Sequence, residues 1–149
     1  MTRMTVTTIG TTGPMTDAAD FVGGLIGYAY DRSGLHCWEL VRQCQRVVFG
    51  RELPPVLVAP ERRRELFDMM SLRHSYAGWR EVEAPAHGAV VFMTRHGHEV
   101  AKAACHAGVW LDLDGGGVLH TDAPHGVVFE SVPELTARNW ADLSFYLPA

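Results

Sequence analysis

Cys37-Trp38-Glu39-Leu40-Val41-Arg42-Gln43-Cys44-Gln45-Arg46-Val47-Val48-Phe49-Gly50 is the most periodic stretch of the chain. Cys37, Leu40, Val41, Cys44, Val47 and Val48 recur at i, i+3, i+4, i+7, i+10 and i+11, which is one face of an α-helix. Glu39, Arg42, Gln43 and Arg46 fall on the other face. Gly50 supplies a C-terminal stop, and the turn-forming run Tyr30-Asp31-Arg32-Ser33-Gly34 precedes the helix. Cys37 is therefore expected in the first turn of an amphipathic helix, on its buried side.

Working outward, residues 1–15 are Thr-rich and aperiodic, which reads as a flexible arm or an edge strand. Phe21, Val22, Leu25, Ile26 and Ala29 predict a short helix capped by Thr16 or Asp17 and weakened by Gly23, Gly24 and Gly27. Beyond Pro54-Pro55 and Pro60, residues 61–71 read as a further helix carrying Leu66, Phe67, Met69 and Met70. The period then changes. Residues 89–93, 107–113, 118–121, 127–130 and 143–147 are short β-type runs, and the Asp/Gly cluster at 112–117 is a hairpin signal. Helices first and an antiparallel sheet second make an α+β domain over 16–149, with the helix of Cys37 packed on the sheet.

The 149 residues fit one domain, and 47% hydrophobic against 20% charged residues is an ordinary globular balance. A net charge of −4 leaves no basic footprint for phosphates, so nucleic acid is a poor ligand. The run Arg62-Arg63-Arg64 sits among Glu61, Glu65 and Asp68 as a solvated helix face. Three cysteines, Cys37, Cys44 and Cys105, without a CxxC spacing are expected as reduced thiols. The first residues hold no apolar signal-peptide core, and no later run is long enough to cross a membrane. Cytoplasmic synthesis without membrane insertion is expected.

A thiol attacks as thiolate, and a free cysteine with a pKa of about 8.5 is mostly protonated near neutrality. A helix N-terminus favours the anion, and an imidazole can take the proton. Of the eight histidines, His106 and His120 are best placed, at the two ends of the predicted hairpin. A turn centred on Leu113 sets them opposite each other on one face of the ribbon, and a shift of a residue or two keeps them neighbours. One ring can then orient the other.

These residues resemble the NlpC-type cell-wall peptidases, a bacterial and phage branch of the papain-like fold. Gly27-Tyr28-Ala29-Tyr30 is similar to the family's Gly-x-Pro-Tyr segment, Cys37-Trp38-Glu39-Leu40-Val41-Arg42 to its nucleophile helix, and Phe49-Gly50-Arg51-Glu52-Leu53-Pro54 to the helix ending of phage members. Gly88-Ala89-Val90-Val91-Phe92, His106-Ala107-Gly108-Val109 and Val118-Leu119-His120 resemble its core strands, and Gly126-Val127-Val128 with Phe145-Tyr146 resemble phage tail-assembly members. The resemblance implies hydrolysis of an amide in a peptidoglycan stem peptide, with Cys37 as nucleophile, His106 as base and His120 orienting it. It further implies Tyr30, His36 and Trp38 beside the site, no metal or cofactor, and a tail-associated or prophage-encoded enzyme delivered with a particle to the cell wall. The chain departs from the family at His36, where Asp is usual, at Trp38-Glu39, where a Ser-Gly pair is usual, and at Ala89, where Asp is usual.

Other readings stand beside this one. Cys37 alone would pack as a small hydrophobe, as Cys44 and Cys105 are expected to do. Tyr30 reads equally as a core aromatic, and His74, His87 and His125 as surface or loop residues. His96-Gly97-His98-Glu99 with Cys105-His106 has ligand chemistry for zinc, although a surface loop is favoured. A non-catalytic tail or secretion-assembly component with the same fold is the main functional alternative, and a lipid or thioester acyltransferase of the same superfamily is a further one.

Overall fold

The structure is a computed structural model and describes residues 17–53, 55, 78–96 and 106–149. The N-terminal arm, Thr16, the predicted helix over 61–71, His74, His98, Glu99 and Cys105 lie outside these residues. Among the described residues, three helices and a six-stranded sheet make a mixed α+β architecture. Helix α1 spans Ala18–Leu25, α2 spans Cys37–Phe49 and α3 spans Val132–Ala137. The strands are β1 (Trp79–Val82), β2 (Val90–Arg95), β3 (His106–Leu111), β4 (Gly117–Asp122), β5 (Gly126–Glu130) and β6 (Trp140–Pro148). Their order is β1-β6-β2-β3-β4-β5, every neighbouring pair antiparallel.

Local chemistry explains the helix limits. The Asp17 carboxylate accepts from the Asp20 N–H at 2.8 Å and starts α1, which stops before Gly27 at φ 91°. Helix α1 is thus shorter than the spacing out to Ala29 predicts. Gly50, in the left-handed region at φ 67°, ends α2 where the sequence places the stop. Helix α3 begins at a capping box, Ser131 with Glu134, and carries Pro133 in its first turn.

The sheet is buried on both faces. Leu40, Val41, Cys44 and Val48 of α2 pack with Val90, Phe92, Ala107, Val109, Leu111, Leu119 and Tyr146 on one face. Val91, Met93, Trp110, Val118, Leu135, Trp140 and Phe145 fill the other. Full burial of a Leu or Val stabilises by about 1.5–3 kcal/mol, so α2 is anchored chiefly by its apolar stripe. Gln45, wholly buried, adds a bond from its Nε2 to the Gly88 carbonyl at 2.9 Å.

Two departures from regular pairing shape the functional region. The β3–β4 register pairs Val109 with Leu119 and Trp110 with Val118, so the hairpin centres on Asp114 rather than Leu113. Asp114, Gly115 and Gly116 all take positive φ there. In the second, Phe92 pairs with Ser144 but Thr94 with Ala141, which leaves one extra residue in β6. Asp142 lies in that bulge at φ 58°. A bulge reverses the face on which subsequent side chains fall. Trp140 consequently joins the face of Met93 and Phe145 instead of that of Tyr146.

Candidate active site

Cys37 is the first residue of α2 and is 1% exposed. His36 is the N-cap, and its Nδ1 accepts from the Glu39 N–H at 3.4 Å. A side-chain acceptor at the N-cap satisfies an N–H that the helix leaves unbonded. His36 thus does for the helix what a carboxylate does at that place. Glu39 pairs with Arg42 at 2.7 Å on the outer face of α2, and Ala89 is wholly buried, where an aspartate would put charge into an apolar layer. His36, Glu39 and Ala89 thus each have a local structural role.

His106 and His120 meet. His106 Nε2 lies 3.0 Å from His120 Nδ1, both rings essentially buried and crossed at 81°. The shifted register makes them diagonal neighbours, because its continuation sets His120 opposite Gly108. A Cβ on Gly108 would come within 3.1 Å of the His120 Cβ and closer still to Val118 and the Leu119 carbonyl. The bare glycine is what lets the two rings converge across the ribbon.

The pair continues into residues that sequence reasoning did not single out. His120 Nε2 is 2.8 Å from Glu130 Oε1, and Arg138 reaches the same carboxylate through Nε at 2.8 Å and an η nitrogen at 3.1 Å. Burial pushes the Glu130 carboxyl upward, but the bonds from His120 and Arg138 outweigh it and hold the group below the usual carboxylate range. Trp140, turned by the bulge, stacks on His106 at 4.5 Å and 14°. Arg95 lies over the other part of this assembly, 3.9 Å from the Trp140 ring centroid, and pairs with Asp122 at 3.0 Å. The Glu130–Arg138 link joins a strand end to a helix end, and no linear spacing announces it.

The thiol and the imidazoles approach from different layers. Strand alternation puts His106 on the face of Met93, its cross-strand partner, and of Trp110, while α2 packs against Ala107 and Val109 on the opposite face. Trp38 stacks on Phe92, whose cross-strand partner is Ala107, so the start of α2 lies over the start of β3. Gln45 of α2 bonds the Gly88 carbonyl, and the Gly88 N–H bonds the Trp110 carbonyl at 2.8 Å.

The remaining candidates separate by environment. Trp38 is 1% exposed and stacks on Phe92 at 6.4 Å and 15°, packing as a core aromatic. Tyr30 is half-buried in the segment ahead of α2, where Gly27 and Tyr28 exchange backbone hydrogen bonds with Val127 of β5. Burial pushes the Cys44 thiol up to about 12, which keeps it protonated and inert, as expected of a structural cysteine. His87, His96 and His125 are exposed. Among the described residues no group of three His, Cys, Asp or Glu side chains could hold a metal ion, and no helix is long and apolar enough to cross a membrane.

No family model matches the chain, and no curated protein matches it. The functional reading therefore stands on the residues themselves.

Proposed function

We propose that the chain is a thiol-dependent endopeptidase of the papain-like, NlpC type, cleaving an amide bond in peptidoglycan stem peptides and associated with a phage tail or prophage. The observation that carries the reading is the 3.0 Å bond between His106 Nε2 and His120 Nδ1. It engages the distal nitrogen of His106, which gives Nδ1 the task of base; Cys37 starts α2 on the other face of the sheet, so the reading requires the thiol and Nδ1 to meet around the start of β3. A nucleophile, a base and an orienting group in that order are what amide hydrolysis by a thiol requires.

In this mechanism Cys37 Sγ attacks the scissile carbonyl and its proton passes to His106 Nδ1. The backbone N–H of Cys37, in the first turn of the helix, donates to the oxyanion. Collapse expels the amine, which takes the proton from His106 and leaves a thioester on Cys37. Water then attacks the thioester with His106 again as base, releasing the acid and the thiol. The sequence of steps balances without metal, redox partner or cofactor.

Incubation with defined stem peptides, with and without a thiol alkylator, tests the proposal by product mass. Cleavage that the alkylator abolishes is expected, and the absence of a thiol-sensitive product from every wall peptide would contradict it. The burial of Cys37 and Trp38 favours a second reading, a non-catalytic component of a tail or secretion assembly that retains the fold. In that case Cys37→Ala leaves every measurable property of the assembly unchanged.

A further inference from the structure

We propose that Glu130, clamped by Arg138, is a positioning residue that sets the tautomer of His106 through His120. The inference takes its catalytic meaning from the peptidase reading, but its structural half can be measured without any turnover.

An ionised carboxylate can only accept. Glu130 takes two bonds from Arg138 and lies 2.8 Å from His120 Nε2, so that nitrogen must carry the proton. A neutral imidazole with a proton on Nε2 presents a lone pair at Nδ1. His106 Nε2, 3.0 Å away, must therefore donate to it. The same rule applied to His106 leaves its own lone pair at Nδ1, the atom required to receive the thiol proton. Three residues away from the chemistry, the charge of Glu130 decides which nitrogen of the base is basic.

Geometry favours a fixed chain over a loose contact. The His120 side chain is wholly buried, and those of Glu130 and Arg138 are only 14% and 23% exposed. Arg138 is also anchored in the backbone, since its carbonyl accepts from Arg95 at 2.8 Å. The charged groups around the rings are thus Glu130 and Arg138 on one side and the Arg95–Asp122 pair on the other. When the pair His106–His120 gains a proton during catalysis, the Glu130 carboxylate stands one ring away to stabilise it.

Glu130→Gln removes the charge while keeping the shape. The Arg138 donors then claim the amide oxygen, so the amide NH2 faces His120 Nε2 and the tautomers of both rings invert. Nitrogen-15 spectra of the imidazoles report this directly. In the wild-type protein both rings are expected with the proton on Nε2, and in Glu130→Gln with the proton on Nδ1. On stem peptides kcat should fall about 100-fold with KM unchanged, the low end of what a positioned base contributes.

A second variant separates positioning from mere folding. In a His120→Asn background the asparagine oxygen accepts from His106 on its own, so adding Glu130→Gln should leave the His106 tautomer unchanged. A wild-type His106 protonated on Nδ1, or unchanged tautomers in a folded Glu130→Gln protein, would overturn the proposal. Inversion of the tautomers upholds it whether or not the wild-type protein cleaves stem peptides, and the absence of cleavage counts only against the peptidase reading.

Discussion

Replacing His106 by alanine is expected to lower kcat on stem peptides by about 10,000-fold, the upper end for loss of a general acid–base group. In the proposed mechanism the imidazole serves twice, first taking the thiol proton and then protonating the leaving amine. His120 cannot step forward because its Nε2 is held by Glu130 and its Nδ1 faces the vacated ring. Residues that act as one unit are strongly non-additive. The double variant Cys37→Ala/His106→Ala should therefore be no slower than Cys37→Ala alone, while binding of the uncleaved peptide stays constant. An alanine variant that retains wild-type turnover and a wild-type far-UV spectrum would remove His106 from the mechanism.

Trp38→Ala should destabilise the fold by about 3–5 kcal/mol, the usual cost of emptying a buried Trp site. Trp38 is fully enclosed between α2 and the sheet, stacked on Phe92, which itself meets Tyr146 edge-on at 5.7 Å. The cavity opens in the middle of the layer that fastens α2 to the sheet. Total stability of such a domain is about 5–15 kcal/mol, so the loss is a large share of it and is read from urea unfolding. A variant with unchanged stability and a raised KM would instead make Trp38 a substrate contact.

Much of this was legible along the chain, for reasons that differ by element. Helix α2 is long, strongly periodic and closed by Gly50, so local signals and tertiary packing agree on its limits. The meeting of His106 with His120 was readable because a hairpin joins them, and neighbouring positions on one face survive a small shift of register. The register itself was not readable. Consecutive residues able to take positive φ, from Asp114 to Gly116, let the turn centre move by one without cost.

Other features were hidden for physical causes. Strand β1 lacks alternation, Trp79 being its one fully buried residue, and pairing with β6 makes it a strand. Helix α3 is only six residues long, but Ser131-Val132-Pro133-Glu134 does carry a capping-box signal that could have revealed it. The reach of β6 back to Trp140 depends on the Asp142 bulge, a feature without a sequence marker. The depth of Trp38 likewise carries no sequence marker. A residue beside a nucleophile in sequence faces a quarter-turn away on a helix, and here that direction leads into the core.

In the proposed function the two buried thiols of α2 differ in kind, Cys37 reactive and Cys44 structural. Competitive labelling with iodoacetamide at pH 6.5, followed by peptide mapping, tests it most directly. Cys37 is expected to take the label, to do so much more slowly in His106→Ala, and Cys44 is expected to stay unmodified in the folded protein. Equal inertness of Cys37 and Cys44, or labelling of Cys37 at a rate indifferent to His106, would contradict the account.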